Sequence, residues 1–258
     1  MTTLLLHGLG ADRRQPLDLF GPVLTTPGER IVAVDVRAHG ANELIGRAED
    51  FAIDRLAQEV ADTVTVADAS GEASTDPVTV IGISMGAAIA MRIALRGLLP
   101  VERAVFVRPA FDDQSLPPNL RVFPVIGQLL HEAGAAGAAE FREGARYQAI
   151  ARESPSGAKG LLAQFTSLRA AERAIRLVEV PRNRAFADDA ELAGLGARGI
   201  RSLVVAAPRD PVHPFELGER WAGALGAPLE RLPARDDGLP VYTAHLRESV
   251  AAWLAATR

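Results

Sequence analysis

The segment Val78-Thr79-Val80-Ile81-Gly82-Ile83-Ser84-Met85-Gly86-Ala87 decides which fold the chain is expected to adopt. Its first half is a run of apolar and β-branched residues, which predicts a buried strand, and residues 87–98 then follow a helical pattern. Between them, glycines stand two residues before and two residues after Ser84. This spacing predicts a sharp, strained turn that lifts the Ser84 hydroxyl above a sheet. We therefore interpret Ser84 as a nucleophile; an incidental serine in a tight turn is the alternative.

The strand of this segment is one of several apolar runs that alternate with helical patterns. The other runs cover residues 3–6, 31–36, 104–107 and 202–206, and residues 230–232 are a shorter candidate. Continuous apolar character is expected of strands that helices cover on both faces. Because helical patterns such as residues 51–66 separate these runs, we predict a parallel sheet with right-handed crossovers.

The alternation stops after residue 107. Residues 111–197 carry Ala-, Arg- and Leu-rich helical patterns, broken at Pro155, Gly160 and Pro181, and no convincing strand. A helical stretch of this length between two strands predicts an inserted cap, although the helices could simply cover the sheet. We therefore predict a core of residues 1–110 and 199–258 and a helical cap of residues 111–198.

Composition narrows the classes of partner and cofactor. The formal net charge of −4 favours neither nucleic acid nor an anionic membrane as a partner, and the absence of cysteine excludes disulfides and thiol catalysis. The longest uncharged stretch, residues 78–91, is too short to span a bilayer. Five scattered histidines show no metal-ligand spacing. We expect a cytoplasmic protein that acts on a small molecule without a metal or organic cofactor; its oligomeric state stays open.

Three motifs at these spacings resemble the α/β-hydrolase fold family. They are His7-Gly8-Leu9-Gly10, Asp35-Val36-Arg37-Ala38-His39-Gly40 (with Ala38 in place of a glycine) and Gly82-Ile83-Ser84-Met85-Gly86. The resemblance covers the first 110 residues and the chain from Arg201 onward. It implies an α/β fold with a mostly parallel sheet of about six strands, because the first two strands of the family are missing. It also implies that the helical cap is inserted after the sixth family strand.

The resemblance also assigns roles around Ser84. Acyl transfer places negative charge on a carbonyl oxygen, and backbone amides aimed at that oxygen stabilise it. The amide of Met85 is one candidate donor, and the family resemblance supplies Leu9 as the other. The remaining polar residues of the first two motifs, His7, Arg37 and His39, are expected to fix their loops by hydrogen bonds.

The expected acid is Asp210, in the segment Arg209-Asp210-Pro211-Val212-His213-Pro214 after the fifth apolar run. This segment resembles the acid-bearing loop of the family, and a carboxylate here would orient an imidazole. An ordinary turn aspartate is the alternative, and Asp112 and Asp113 are rival acids.

The base is the least determined member of the triad. The family order requires a histidine after Asp210, which leaves His213 and His245. We predict His245 as the base, provided that Thr243 caps the last helix; a start near Pro240 would leave His245 in mid-helix. His213 is predicted as a possible substrate contact, with the base role as its alternative.

These assignments predict a serine hydrolase that cleaves an ester, thioester or lactone of a small, largely apolar molecule through an acyl-enzyme on Ser84. The cap, which contains Phe123, Phe141, Tyr147 and Phe165, is expected to wall the pocket. The alternative is a family member without ordinary hydrolysis, such as a cyclase, a lyase, a tailoring catalyst or an inactive ligand-binding protein with an incomplete triad.

Overall fold

The computed structural model describes residues 1–24, 28–66 and 76–257. It contains a six-stranded sheet in which every neighbouring pair of strands is parallel. The strands are β1 (Thr2–Leu6), β2 (Arg30–Val34), β3 (Val78–Ile83), β4 (Val101–Val107), β5 (Arg201–Ala206) and β6 (Leu229–Arg231). Their order across the sheet is β2-β1-β3-β4-β5-β6. The predicted six-stranded parallel sheet is thus confirmed, with β1 second from one edge.

Helices surround the sheet and close its carboxyl edge. They are α1 (Arg14–Phe20), α2 (Ile53–Val66), α3 (Met85–Arg96), α4 (Val122–Ala133), α5 (Gly137–Glu143), α6 (Ala145–Glu153), α7 (Pro155–Leu162), α8 (Ile175–Glu179), α9 (Asp189–Ala197), α10 (Phe215–Leu225) and α11 (Leu239–Ala256). Short 3₁₀ helices occupy Gly21–Val23, Ala48–Phe51, Pro118–Leu120, Gly134–Ala136, Ala163–Thr166, Val180–Arg182 and Arg235–Asp237. Across the described residues, no helix combines the length and the apolar character that a membrane crossing requires.

The central strands bury both of their faces, as their continuous apolar character predicts. In β4, Ala104 and Phe106 pack into the cluster beneath α3 and α10, whereas Val105 and Val107 pack into the cluster beneath α11. This opposition follows from the alternation of side chains along a strand. Because helices cover both faces, the loops at the carboxyl ends of the strands are left to build a site.

The helices between β4 and β5 divide into two groups by their contacts. The helices α4 to α8 pack mainly on one another, whereas α9 packs on α3 and α10 of the core. Two contacts tie this region to α3: Arg92 Nη1 donates to Glu191 Oε1 at 3.4 Å, and Arg198 Nη1 donates to the Leu95 carbonyl at 3.1 Å. The boundaries at 111 and 198 stay a prediction. The predicted core ranges also include residues 25–27, 67–75 and 258, which lie outside the described residues.

The last helix begins earlier than the base assignment required. Helix α11 starts at Leu239, after Gly238 at φ +145°, and Pro240 lies in its first turn. Thr243 is therefore inside the helix, and of the two alternatives the start near Pro240 is the one observed, so the condition for the His245 assignment is not met. Proline suits the first turn because its missing N–H has no partner to lose there. Consequently His245 lies in mid-helix, with an exposed side chain.

Candidate active site

Ser84 sits on the turn that the glycine spacing predicts. Its φ of +54° and ψ of −110° lie in a strained region for a residue with a side chain. A Cβ on Gly82 would lie 2.2 Å from the Gly86 carbonyl oxygen, and a Cβ on Gly86 would lie 2.5 Å from the Leu6 carbonyl oxygen. Since both contacts are with backbone, only glycine fits at either position. The turn presents the Ser84 side chain at the carboxyl edge of the sheet.

His213 is the imidazole that reaches Ser84. Its Nε2 lies 2.9 Å from Ser84 Oγ, and its Nδ1 lies 3.0 Å from Asp210 Oδ1. Asp210 and His213 both come from the loop between β5 and α10. Asp210 Oδ1 also accepts hydrogen bonds from the backbone N–H groups of Val212 at 3.2 Å and His213 at 3.1 Å, which curls the loop and keeps the two side chains together. The geometry is that of a nucleophile, a base and a carboxylate in line.

This arrangement corrects the sequence-based placement of the base. His245 contacts neither Ser84 nor Asp210, because α11 starts at Leu239 and directs the histidine to solvent. The residue predicted as a possible substrate contact, His213, occupies the position expected of the base instead. The sequence contained a signal that His213 lies beside Asp210. Asp210-Pro211 favours the first two positions of a four-residue turn, which brings its first residue, Asp210, close to its fourth, His213.

The rival acids lie elsewhere. Asp113 forms a two-pronged ion pair with Arg220, with both N–O distances at 2.8 Å. Asp112 accepts a hydrogen bond from the backbone N–H of Gln114 at 2.8 Å. Neither carboxylate contacts His213, so the structure brings Asp210 to the site and leaves the two alternatives outside it.

Arg108 is a site residue that the sequence-based reasoning missed. It follows β4 directly, at φ +51°, and its guanidinium donates to Asp210 Oδ2 through Nε at 3.1 Å and through Nη2 at 2.6 Å. The same Nη2 lies 2.8 Å from His213 Nδ1. The available signal was its position, because the carboxyl ends of β4 and β5 meet at one edge of the sheet and place Arg108 beside the Asp210 loop.

Burial and these contacts shift the ionisation of the pair. Burial opposes the charge of Asp210, but Arg108 and His213 outweigh it and hold the pKa of the Asp210 carboxyl below its usual range. Burial also lowers the pKa of His213, and Arg108 adds to this effect while Asp210 opposes it. The site therefore holds an ionised carboxylate beside an imidazole that stays neutral at physiological pH, as a general base requires.

Two backbone amides near Ser84 fit the expected oxyanion donors. Within the described part of the chain, the N–H groups of Leu9 and Met85 donate to no protein acceptor, whereas the N–H of Gly8 donates to Gln15 Oε1 at 2.8 Å. Met85 is the first residue of α3, where N–H groups lack partners in the helix and the helix dipole favours negative charge. Both amides are thus free to bind a developing oxyanion.

The polar residues of the first two motifs fix the loops around this site. His7 Nε2 accepts from the Val36 backbone N–H at 3.1 Å, and its Nδ1 bonds to the Gly8 carbonyl at 2.8 Å. His39 Nδ1 bonds to the Arg37 carbonyl at 2.8 Å, and Arg37 Nη2 forms an ion pair with Glu59 at 2.6 Å. All of these contacts are within the protein, which agrees with the expected loop-fixing roles.

A cavity of about 200 Å³ opens in front of Ser84. The predicted cap contributes Phe123, Leu161 and Gln164 to its wall, and the predicted core contributes Leu9 and Val212. The side chain of Gln164 is buried, and its Oε1 has no donor among the described residues. A larger depression of about 930 Å³ lies on the other side of the Asp210 loop, but neither Ser84 nor His213 lines it. The smaller cavity is therefore the one placed for chemistry.

Three further aromatic residues of the predicted cap form a cluster centred on Phe141. The ring of Phe141 lies 5.3 Å from that of Tyr147 and 5.5 Å from that of Phe165, centroid to centroid. None of these three lines the cavity of Ser84. In the residues that the structure describes, no group of three or more His, Cys, Asp or Glu side chains is arranged to hold a metal ion.

Comparison with known sequences gives one family match over most of the chain and partial matches to curated proteins. The model of the family described as serine aminopeptidase, S33, matches residues 2–220. Protein phosphatase methylesterase 1 from Rattus norvegicus is 34% identical over 97 residues, and the corresponding protein from Homo sapiens is 33% identical over the same length. The match covers 38% of this chain and only 24% of the length of these relatives.

Solved structures resemble the chain over nearly its whole length. A hydrolase from Pseudomonas aeruginosa PA01 has a TM-score of 0.68 at 19% identity, covering 99% of this chain and 89% of that one. MenH from S. aureus has a TM-score of 0.69 at 13% identity, with 100% and 92% coverage. A thermophilic esterase from Thermogutta terrifontis has a TM-score of 0.68 at 18% identity, with 100% and 90% coverage. At these identities the likeness concerns the fold alone, and it confirms the α/β-hydrolase fold.

Proposed function

Because the chain belongs to the serine aminopeptidase S33 family of α/β hydrolases, we propose that it is a serine hydrolase that cleaves an ester, thioester or lactone of a small, largely apolar molecule. The observation that carries the proposal is the line of contacts from Ser84 Oγ to His213 Nε2 at 2.9 Å and from His213 Nδ1 to Asp210 Oδ1 at 3.0 Å. Such a line is what activates a serine hydroxyl for attack.

The geometry supports a reaction in two halves. His213 Nε2 accepts the hydroxyl proton while Ser84 Oγ attacks the carbonyl carbon, and the amides of Leu9 and Met85 stabilise the oxyanion. The tetrahedral intermediate collapses, the bond to the leaving alcohol or thiol breaks, and His213 returns its proton to that group. A water then attacks the acyl-enzyme with His213 again as the base, which releases the acid and restores Ser84. Asp210 keeps the imidazole oriented and stabilises its charged form.

The partial match to a methylesterase supports ester hydrolysis. The small cavity with Leu9, Phe123 and Leu161 in its wall supports a compact, mainly apolar substrate. The alternative, a non-hydrolytic protein with an incomplete triad, assumes that no histidine reaches Ser84. His213 Nε2 lies 2.9 Å from Ser84 Oγ, which favours the hydrolase, and the alternative becomes an outcome of the test below.

A fluorophosphonate probe tests the proposal directly. We expect one equivalent of probe to bind the protein, seen as a single adduct by intact-mass spectrometry, and no adduct with Ser84→Ala. Turnover of a short 4-nitrophenyl ester should follow the same pattern. Absence of both labelling and turnover above the Ser84→Ala background, with the protein folded by circular dichroism, would overturn the proposal and favour the non-hydrolytic alternative.

A further inference from the structure

Arg235 is a cation of the Ser84 cavity whose side chain has no hydrogen-bond or ion-pair partner among the described residues. It follows β6, on the short 3₁₀ helix Arg235–Asp237 that precedes α11. Its side chain lines the same cavity as Ser84 and His213 and is partly buried there. Nevertheless, its guanidinium makes no hydrogen bond and no ion pair to any residue that the structure describes, which is unusual for an arginine withdrawn from water.

The carboxylates near Arg235 are already engaged. Asp210 is bound by Arg108 and His213, with contacts between 2.6 and 3.1 Å. Asp236 accepts from Ser154 Oγ at 2.6 Å and from the Ser156 backbone N–H at 2.7 Å. Both acids favour the charge of Arg235 from a distance, but neither forms an ion pair with it.

The balance of charge in the cavity is consequently positive. Two guanidiniums, those of Arg108 and Arg235, face the single carboxylate of Asp210, and His213 is neutral at rest. Burial lowers the pKa of Arg235, and the neighbouring Arg108 lowers it further, so the protonated form is held at a cost. One negative charge brought by a ligand would offset this cost and balance the cavity.

We propose that Arg235 binds a carboxylate of the substrate, so that the esters hydrolysed at Ser84 carry one anionic group a short distance from the scissile bond. This inference rests on the serine hydrolase proposed above and names its substrate class. A guanidinium suits a carboxylate because two parallel N–H donors match its two oxygens. A single carboxylate also matches the one unpaired positive charge of the cavity.

Bound in this way, the carboxylate would also assist the reaction. His213 becomes positively charged when it takes the Ser84 proton, and both Arg108 and Arg235 oppose that charge. A carboxylate on Arg235 removes one of the two opposing charges. We therefore expect the anionic group to raise kcat as well as to lower KM, rather than to affect binding alone.

Two matched pairs of esters test the inference, since the structure leaves open which side of the ester carries the charge. In the first pair, mono-4-nitrophenyl succinate and 4-nitrophenyl succinamate differ only by carboxylate against amide on the acyl side. In the second pair, 4-acetoxybenzoate and 4-acetoxybenzamide differ in the same way on the leaving-group side. For one pair, we expect kcat/KM of the wild-type protein to favour the anion by about tenfold or more.

The preference should depend on Arg235. Arg235→Gln should reduce the anion-to-amide ratio to about one, and Arg235→Lys should keep part of the preference. Arg231→Gln is the matched control: it removes a positive charge from an exposed residue outside the cavity and should leave the ratio unchanged.

Equal ratios in wild type and Arg235→Gln for both pairs would overturn the inference while leaving the hydrolase intact. No Ser84-dependent turnover of any of the four esters would also overturn the inference, and it would overturn the hydrolase itself only if the fluorophosphonate probe fails to label Ser84 as well.

Discussion

Nη2 of Arg108 lies 2.8 Å from Nδ1 of His213, and the same guanidinium holds the carboxylate that His213 needs. Arginine can only donate hydrogen bonds. If the His213 proton is on Nδ1 and points to Asp210, the contact with Arg108 joins two donors. If it is on Nε2, Nδ1 accepts from Arg108, and the imidazole cannot take the Ser84 proton. Arg108 therefore competes with Asp210 for control of the tautomer.

Replacement of Arg108 should move the pH profile of the enzyme. Because the guanidinium lowers the pKa of His213, Arg108→Met should raise it, and His213 must be neutral to act as the base. The acidic limb of kcat/KM should consequently shift to higher pH by about one unit, measured with a neutral 4-nitrophenyl ester. Arg108→Lys keeps the charge and should shift the limb less. An unchanged limb, or a shift to lower pH, would contradict this account.

The same substitution should lower stability. Arg108→Met leaves the buried Asp210 carboxylate without its arginine, and breaking a buried ion pair typically costs about 3–5 kcal/mol. Urea unfolding at pH 7 measures this loss, and kinetic assays belong at a temperature where circular dichroism shows the variant folded. A loss below about 1 kcal/mol would mean that solvent or His213 replaces the guanidinium effectively.

Two alanine substitutions decide which of the two candidate histidines, His213 or His245, is the base. His213→Ala should reduce kcat by about 10²–10⁴-fold, the usual contribution of a general base, and should slow labelling by the fluorophosphonate probe. His245→Ala removes an exposed side chain of α11 and should change kcat by less than about twofold. The reverse result, with activity lost only in His245→Ala, would restore the assignment made from the sequence.

Sequence patterns predicted the sheet and the sharp turn at Ser84 because both depend on local rules. Strands buried on two faces are continuous apolar runs, and the turn at Ser84 admits only glycine at positions 82 and 86. The amide at Met85 follows from its place directly after Ser84, whereas Leu9 was supplied by the family resemblance. These features were therefore visible in short segments without any knowledge of tertiary contacts.

The base and the two arginines could not be predicted in this way. The choice between His213 and His245 depended on where one helix starts, and helix boundaries are weakly encoded. The roles of Arg108 and Arg235 arise from charges that meet only when β4, β5 and β6 are side by side.

Two glycine substitutions contrast a required glycine with a replaceable one. Gly86→Ala should destabilise the protein by about 1–3 kcal/mol or more and reduce activity, because the new Cβ meets the Leu6 and His7 carbonyl groups and displaces the turn of Ser84. Gly194→Ala, in α9 with open space around its Cβ position, should stabilise the protein by about 0.5–1 kcal/mol. Thermal and urea unfolding measure both effects, and equal effects would show that the turn tolerates a side chain.

Stability should fall as the pH drops from 7.5 to 5.5, because three histidines are buried in neutral form. Burial lowers the pKa of His7, His39 and His213 below the ordinary value of 6.5, and that of His39 most clearly. Below about pH 6.5 the unfolded chain therefore binds protons that the folded chain does not, and folding is disfavoured by up to about 1.4 kcal/mol per pH unit for each proton.

The His39→Gln variant measures how much His39 contributes to this pH dependence of stability. The variant should lower the slope of unfolding free energy against pH by up to about 1.4 kcal/mol per pH unit between pH 6 and 5, whatever its effect on stability at pH 7.5. Urea unfolding at half-unit pH steps gives both slopes. If the wild-type slope is flat in this range, the three imidazoles titrate alike in the folded and unfolded chain, and the lowering of their pKa values by burial is wrong.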